Sequence, residues 1–230
     1  MAQASYLERR GQIETYFDRT AAQAWARLTS DAPVGRIRAS VRAGRDRMRE
    51  TLLSWLPEDL AGARVLDAGC GTGALAVEAA RRGANVLAID LSQTLVDLAR
   101  ERQPQGLSIE FRAGDMLDPA LGRFDFIVGM DSLIHYRTDD AVRVLAGLAQ
   151  RTERSLLFTY APSNPALIAF RAVGRMFPSA NRAPWIEPVA EKSLHRLLAT
   201  EPSLAQWQPG RTQRIASGFY TSQALEMVKR

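Results

Sequence analysis

Val65-Leu66-Asp67-Ala68-Gly69-Cys70-Gly71-Thr72-Gly73 runs directly into Ala74-Leu75-Ala76-Val77-Glu78-Ala79-Ala80. An apolar run closing on an aspartate, a glycine-rich turn and an amphipathic stretch read as strand, loop and helix. Such a loop puts bare backbone at the carboxyl end of a sheet, where open α/β folds bind their ligands. The glycines fall at 69, 71 and 73. A dinucleotide loop needs G-x-G-x-x-G and a Walker loop ends in Gly-Lys-Ser/Thr, so this spacing argues against both.

The rhythm continues downstream. Asn85-Val86-Leu87-Ala88-Ile89-Asp90 reads as a second strand, and Ser92 is a good N-cap for a helix to about Arg102. Residues 108–112, 124–130 and 155–160 read as three further strands. Strands separated by helical patterns predict a largely parallel sheet with helices on both faces. Upstream, Ile13, Tyr16, Phe17, Ala24, Trp25 and Leu28 recur at helical spacing until Ser30-Asp31-Ala32-Pro33 interrupts them. A second stripe, Ile37, Val41, Met48, Leu52 and Trp55, stops at Pro57. Residues 166–177 are apolar nearly all round, 191–199 read as helix, and 211–228 hold two strand-like runs about Phe219-Tyr220. The expected division is an N-terminal helical cap over 1–60 and a ligand-binding domain over 61–230, with a lid-like insertion at 163–192.

Composition narrows the classes. The chain has 230 residues, 46% hydrophobic and 24% charged, which suits a globular protein with a sizeable core rather than a disordered one. One cysteine, Cys70, excludes an internal disulfide framework, and no Cys/His group has zinc spacing. The charged N-terminus is no signal peptide, and no apolar run reaches membrane-spanning length. The expected compartment is the cytoplasm, with peripheral membrane contact left open. The net charge is +5, and Lys192 and Lys229 are the only lysines, so the basic character is almost wholly arginine.

The glycine loop and the strands and helices downstream of it resemble the class I S-adenosylmethionine-dependent methyltransferases over about residues 62–162. The resemblance implies that Asp90, ending the second strand, binds the ribose hydroxyls as a bidentate carboxylate. It implies that Asp115, in Ala113-Gly114-Asp115-Met116, accepts from the adenine amino group with Met116 beside it. Asp67 and the backbone of Gly69, Cys70 and Gly71 would meet the methionine moiety, and Leu91, Met130 and Tyr16 complete the expected cofactor set.

Residues 130–136, Met-Asp-Ser-Leu-Ile-His-Tyr, lie where this fold brings donor and acceptor together, and they lack the (D/N)PP(Y/F) signature of many nucleic-acid methyltransferases. With Tyr16-Phe17-Asp18, Ser30-Asp31-Ala32-Pro33, residues 41–46, Phe158-Thr159-Tyr160-Ala161-Pro162 and residues 214–224, they resemble the magnesium protoporphyrin O-methyltransferases of bacteriochlorophyll synthesis. That resemblance implies an α/β, doubly wound, mostly parallel seven-stranded Rossmann-like sheet, with N-terminal helices and a lid after strand five. It implies methyl transfer from S-adenosylmethionine to one propionate of magnesium protoporphyrin IX, giving the monomethyl ester. Magnesium then belongs to the substrate alone, no resident metal is expected, and magnesium chelatase becomes a candidate partner.

Within this reading His135 and Tyr136 are the expected catalytic residues. His135 either ligates the porphyrin magnesium, bonds the reacting carboxylate, or is simply satisfied within its loop. Arg38, Arg42, Arg45 and Arg49 form one helical stripe at steps of four, three and four. Arg38 and Arg42 are expected to bind substrate carboxylate or an anionic surface, the alternative being a solvated face paired with Asp46 and Glu50. Phe170 and Phe177 are expected to cover the macrocycle, unless they are core. Two other functions share part of this evidence. A methyltransferase of another small molecule, such as a quinone precursor or another carboxylic acid, would use the same cofactor residues. A nucleic-acid-binding module could use the arginine stripe, but that stripe lacks interleaved aromatics, so no nucleic-acid partner is expected.

Overall fold

The structure is a computed structural model, and it describes residues 2–18, 29, 35–163 and 186–230. Seven strands form one sheet in the order β3-β2-β1-β4-β5-β7-β6. They are β1 (Arg64–Ala68), β2 (Asn85–Asp90), β3 (Ile109–Ala113), β4 (Phe124–Gly129), β5 (Thr152–Tyr160), β6 (Trp207–Ser217) and β7 (Tyr220–Lys229). The first five run parallel, β7 is antiparallel to β5, and β6 pairs antiparallel with β7. The expected doubly wound, mostly parallel sheet is therefore present. The two runs about Phe219-Tyr220 are its antiparallel edge hairpin, and the first of them starts at Trp207 rather than near Arg211.

Helices cover both faces: α1 (Ala2–Tyr16), α2 (Arg36–Ser54), α3 (Ala74–Arg81), α4 (Gln93–Arg102), α5 (Thr138–Ala149) and α6 (Glu191–Thr200). Alternate residues of a strand face opposite ways, so one strand feeds two cores. Val65, Val86 and Val128 join the cluster under α2, α3 and α4. Leu66, Leu87 and Ile127 join the cluster under α5 and α6, together with Ile13 of α1. Ser92 caps α4 by accepting from Leu95 N at 3.2 Å, as its position after β2 predicts. The segment before β1 is welded to the sheet, since Met48 and Leu52 of α2 are fully buried in the first of these clusters. Ile37, which the apolar stripe included, is instead 58% exposed, because it lies one turn beyond the part of α2 that packs.

The close seat of α2 depends on Gly44. A Cβ there would lie 2.5 Å from Cδ1 and 2.8 Å from Cβ of Tyr220, the first residue of β7. An alanine inside a helix ordinarily stabilises by about 1 kcal/mol over glycine. Here the added methyl must push α2 off the hairpin, so Gly44→Ala is expected to lower unfolding free energy by about 1–3 kcal/mol in a urea titration. A stabilised Gly44→Ala protein would show that the contact is slack.

Candidate active site

The site forms where the strand order reverses between β1 and β4. Gly69 N and Cys70 N both donate to Ile89 O, at 2.8 and 3.0 Å, which ties the glycine loop to the end of β2. Asp90 completes the tie, its Oδ2 accepting from Gly71 N at 2.8 Å and its Oδ1 from Ser92 N at 3.0 Å. On the other side, a Cβ on Gly69 would come within 2.3 Å of Ser132 Cβ, and Gly69 has φ +87°. Two chains leaving adjacent strands can turn apart this tightly only if one lacks a side chain.

A cavity of about 340 Å³ opens there, within the usual size of a small-molecule site. Asp67, Gly69, Cys70, Gly71, Asp90 and Leu91 of the expected cofactor set line it. Met116, Met130, His135, Tyr136 and Arg42 line it too. The lining also includes Ile13 and Phe17, Arg45 and Arg49 of α2, and Asp131, none of which the sequence names as an individual site residue.

The floor is acidic and poorly solvated. Asp67 is 1% exposed, and its Oδ2 is buried with no hydrogen-bond partner. Burial, with Asp90 adding repulsion, pushes its carboxyl up to about 7. Burial also raises the Asp90 carboxyl, against the backbone N–H groups that bond it, and the Cys70 thiol rises well above its ordinary value for the same reason. An uncompensated buried carboxylate in a cavity wall calls for a cation. The ammonium of a methionine moiety is such a group, and Asp90 is placed to take ribose hydroxyls, so these residues fit S-adenosylmethionine.

Helix α1 roofs one end of the crevice. Tyr6 donates to Asp115 Oδ1 at 2.8 Å and Arg10 pairs with Asp115 Oδ2 at 2.6 Å. Leu117 N supplies a third bond to Asp115, also to Oδ1, at 2.8 Å. The Tyr6 ring stacks on Tyr136 at 5.3 Å, and burial raises both phenols. At the other end of the helix, Asp18 accepts from Ser92 Oγ at 2.6 Å. Asp115 is therefore held by α1, between Gly114 and Met116 of the cavity lining.

Two further expected residues stand apart from the lining. Tyr16, the last residue of α1, packs edge-on against Phe17 at 5.2 Å, and of the two it is Phe17, just past the helix, that lines the cavity. Arg38 is exposed, one turn beyond the cavity mouth, whereas Arg42, Arg45 and Arg49 line it. Local pairing explains only part of that stripe, since Arg49 bonds Asp46 at 2.9 Å while Arg45 reaches Asp131. Phe170, Phe177 and most of the expected lid lie outside the described residues. Among the described residues no group of three or more His, Cys, Asp or Glu could hold a metal, and no helix is long and apolar enough to cross a membrane.

Asp131 follows Met130 at the end of β4 with φ +53°, and it is the one non-glycine among the described residues with positive φ. Its carboxylate accepts from Arg45 at 2.6 Å, Tyr220 at 3.1 Å, Ser222 at 3.2 Å and Thr159 Oγ1 at 3.1 Å. The sequence marks the stretch 130–136 as a whole, but the left-handed conformation that aims Asp131 within it is not visible in sequence.

Comparison with known proteins agrees with this geometry. The family described as magnesium-protoporphyrin IX methyltransferase C-terminus matches residues 129–229, and a general methyltransferase domain matches residues 65–154. The chain is 50% identical over 226 residues to the magnesium-protoporphyrin O-methyltransferase of Rhodobacter capsulatus, covering 97% of this chain and 98% of that one. A crystal structure of magnesium protoporphyrin IX methyltransferase from Synechocystis with bound SAH superimposes with a TM-score of 0.83 at 27% identity, over 96% of this chain and 99% of that one. A ubiquinone biosynthesis O-methyltransferase from Xanthomonas euvesicatoria is 39% identical over 121 residues, covering 50% of this chain and 50% of that one.

The raised Asp67 carboxyl has consequences for pH. An acid whose pKa is higher folded than unfolded favours the fold in its protonated form, fully so below about pH 4. That contribution is lost as pH rises through about 7. The unliganded protein should lose stability across this window, and Asp67→Asn should flatten the dependence in thermal melts. Binding of S-adenosylhomocysteine below pH 7 should release a proton as its ammonium ionises Asp67, measurable by calorimetry in buffers of different ionisation enthalpy. Proton release that persists undiminished in Asp67→Asn would remove Asp67 from the ammonium site.

Proposed function

The chain belongs to the magnesium-protoporphyrin O-methyltransferase family, and on that premise we propose that it transfers a methyl group from S-adenosylmethionine to a propionate carboxylate of magnesium protoporphyrin IX. The product is the monomethyl ester, a step of (bacterio)chlorophyll synthesis. The observation that carries the reading is one cavity with an acidic floor, Asp67 and Asp90, and an arginine wall, Arg42, Arg45 and Arg49. Acid suits a cationic donor, and guanidinium suits an anionic acceptor.

S-adenosylmethionine supplies a methyl carbon on a cationic sulfur, which a propionate oxygen, already ionised at neutral pH, attacks without any proton having to move. No general base is therefore required of the chain. Its residues bind, align and exclude water, effects worth up to about 7–11 kcal/mol of barrier. Asp67 and Asp90 hold the donor on the backbone of Gly69 and Gly71. Met116 and Met130 give the donor an apolar lining. His135 and Tyr136 face the acceptor end, with Phe17 edge-on to the His135 ring at 6.0 Å. Helices α1 and α2 act as the substrate-facing cap.

Two finer points belong to the same proposal. Exposed Phe219 (75%) and Ile37 (58%), beside exposed Arg36 and Arg38, suit peripheral contact with an anionic membrane surface. Because the acceptor already carries magnesium, an enzyme that inserts it must act first, and a magnesium chelatase is the proposed partner.

Radiolabelled S-adenosylmethionine should pass one methyl to each magnesium protoporphyrin. Transfer to a quinone precursor with none to the porphyrin would favour the other small-molecule reading and overturn this one. His135→Ala should lower kcat/KM by at least about tenfold with cofactor affinity unchanged. Loss confined to the magnesium porphyrin would mark axial ligation, and equal loss on metal-free protoporphyrin would mark a carboxylate contact. An unchanged kcat/KM would take His135 out of the site.

A further inference from the structure

In the cavity wall Arg49 pairs within its own helix, whereas Arg45 reaches across the fold. Its partner Asp131 comes from across the fold, with a side chain only 5% exposed. Four elements meet at that carboxylate: α2 through Arg45, β5 through Thr159, β7 through Tyr220 and Ser222, and the end of β4 through Asp131 itself. Thr159 Oγ1 also accepts from Asp131 N at 2.7 Å, so the backbone is fixed as well as the side chain. A non-glycine residue in the left-handed region is strained, and such strain gathers where a side chain must be aimed. The bond to Asp131 runs through Nη1, and the guanidinium that it orients lines the cavity.

A positive guanidinium fixed in the wall of a cavity recognises a carboxylate. Resting on the proposed function, the acceptor offers two propionates, one of which reacts. A carboxylate clamped by guanidinium has its lone pairs engaged and is a poorer nucleophile, so a tight arginine contact to the reacting group would slow the transfer. We propose that Arg45, positioned by Asp131, binds the propionate that is not methylated. The spectator carboxylate then sets the register of the macrocycle and presents its neighbour to the donor. Arg45 is thus a substrate-binding residue, and Asp131 a positioning residue acting through it.

The test compares three porphyrins, magnesium protoporphyrin diacid, its monomethyl ester and its dimethyl ester, by Soret titration against the wild type, Arg45→Ala and Asp131→Asn. The spectator carboxylate is present in the first two and absent from the third. Arg45→Ala should weaken diacid and monoester binding by about 10- to 100-fold and leave the diester unchanged. Asp131→Asn should raise KM for the diacid with a smaller change in kcat, and Arg45→Lys should recover part of the affinity. S-adenosylhomocysteine affinity should stay within about twofold in all three variants, which also reports that they are folded. Equal weakening of all three porphyrins would make the network merely structural. Weakening of the diacid alone would move Arg45 to the reacting carboxylate, and a matching loss of S-adenosylhomocysteine affinity would move it to the donor; each outcome overturns the inference. If the wild type neither binds nor methylates the diacid, the proposed function itself falls. If it does both and Arg45→Ala is indifferent, only the role of Arg45 falls.

Discussion

The backbone of Gly69 lies against the side chain of Ser132, and the rest of the site depends on that contact. β1 and β4 are hydrogen-bonded neighbours, yet the segments leaving them open toward opposite faces of the sheet. The gap between two such segments is the crevice, and its depth is set by how closely they start. A side chain at position 69 would force them apart and lift the loop from Ile89 O, to which Gly69 N and Cys70 N are bonded. Asp67 would then gain water and lose the isolation that raises its pKa. Geometry and electrostatics are here one constraint, because the close packing that shapes the crevice also dries its floor.

The two ends of the crevice handle charge differently. Asp67 and Asp90 are buried acids with no arginine or lysine bonded to them among the described contacts, and their charged forms are held back until a cation arrives. Asp115 and Asp131 are acids already paired, one with Arg10 of α1 and the other with Arg45 of α2. A paired acid at such a position fixes a helix rather than a ligand. Each N-terminal helix thus reaches the sheet through one arginine–aspartate bond at the carboxyl end of a strand, and the wall that results is basic on its inner side.

Elements whose signal is local could be read from the sequence. The glycine spacing, the aspartate closing β2 and the Ser92 cap each express a constraint satisfied within a few residues, and each stands where expected. The stripe of arginines is legible as a stripe, but not its depth. Helical periodicity says which residues share a face and nothing about where along the axis the face meets the cavity, so it singles out Arg38 as readily as Arg45. The expected place of Asp115 rests on the pattern of the glycine-loop half alone, which carries no information about Tyr6 and Arg10, more than a hundred residues earlier. The Asp131 network is the least legible, because its donors come from residues 45, 159, 220 and 222 and converge only when β5 and β7 are in register.

That convergence separates the general half of the molecule from the particular one. Residues 65–154 match a general methyltransferase domain, and they include the glycine loop, Asp90 and Asp131 itself. The groups that give Asp131 its task, Arg45, Thr159, Tyr220 and Ser222, all lie outside that span. A carboxylate at the end of β4 can be inherited with the sheet, but what it aims is decided by the helix laid before β1 and the hairpin added after β5. Gly44 makes the two meet, since α2 reaches Asp131 only by resting on the ring of Tyr220. Acceptor recognition is on this view built by docking one helix onto one hairpin across a site whose donor half was already complete.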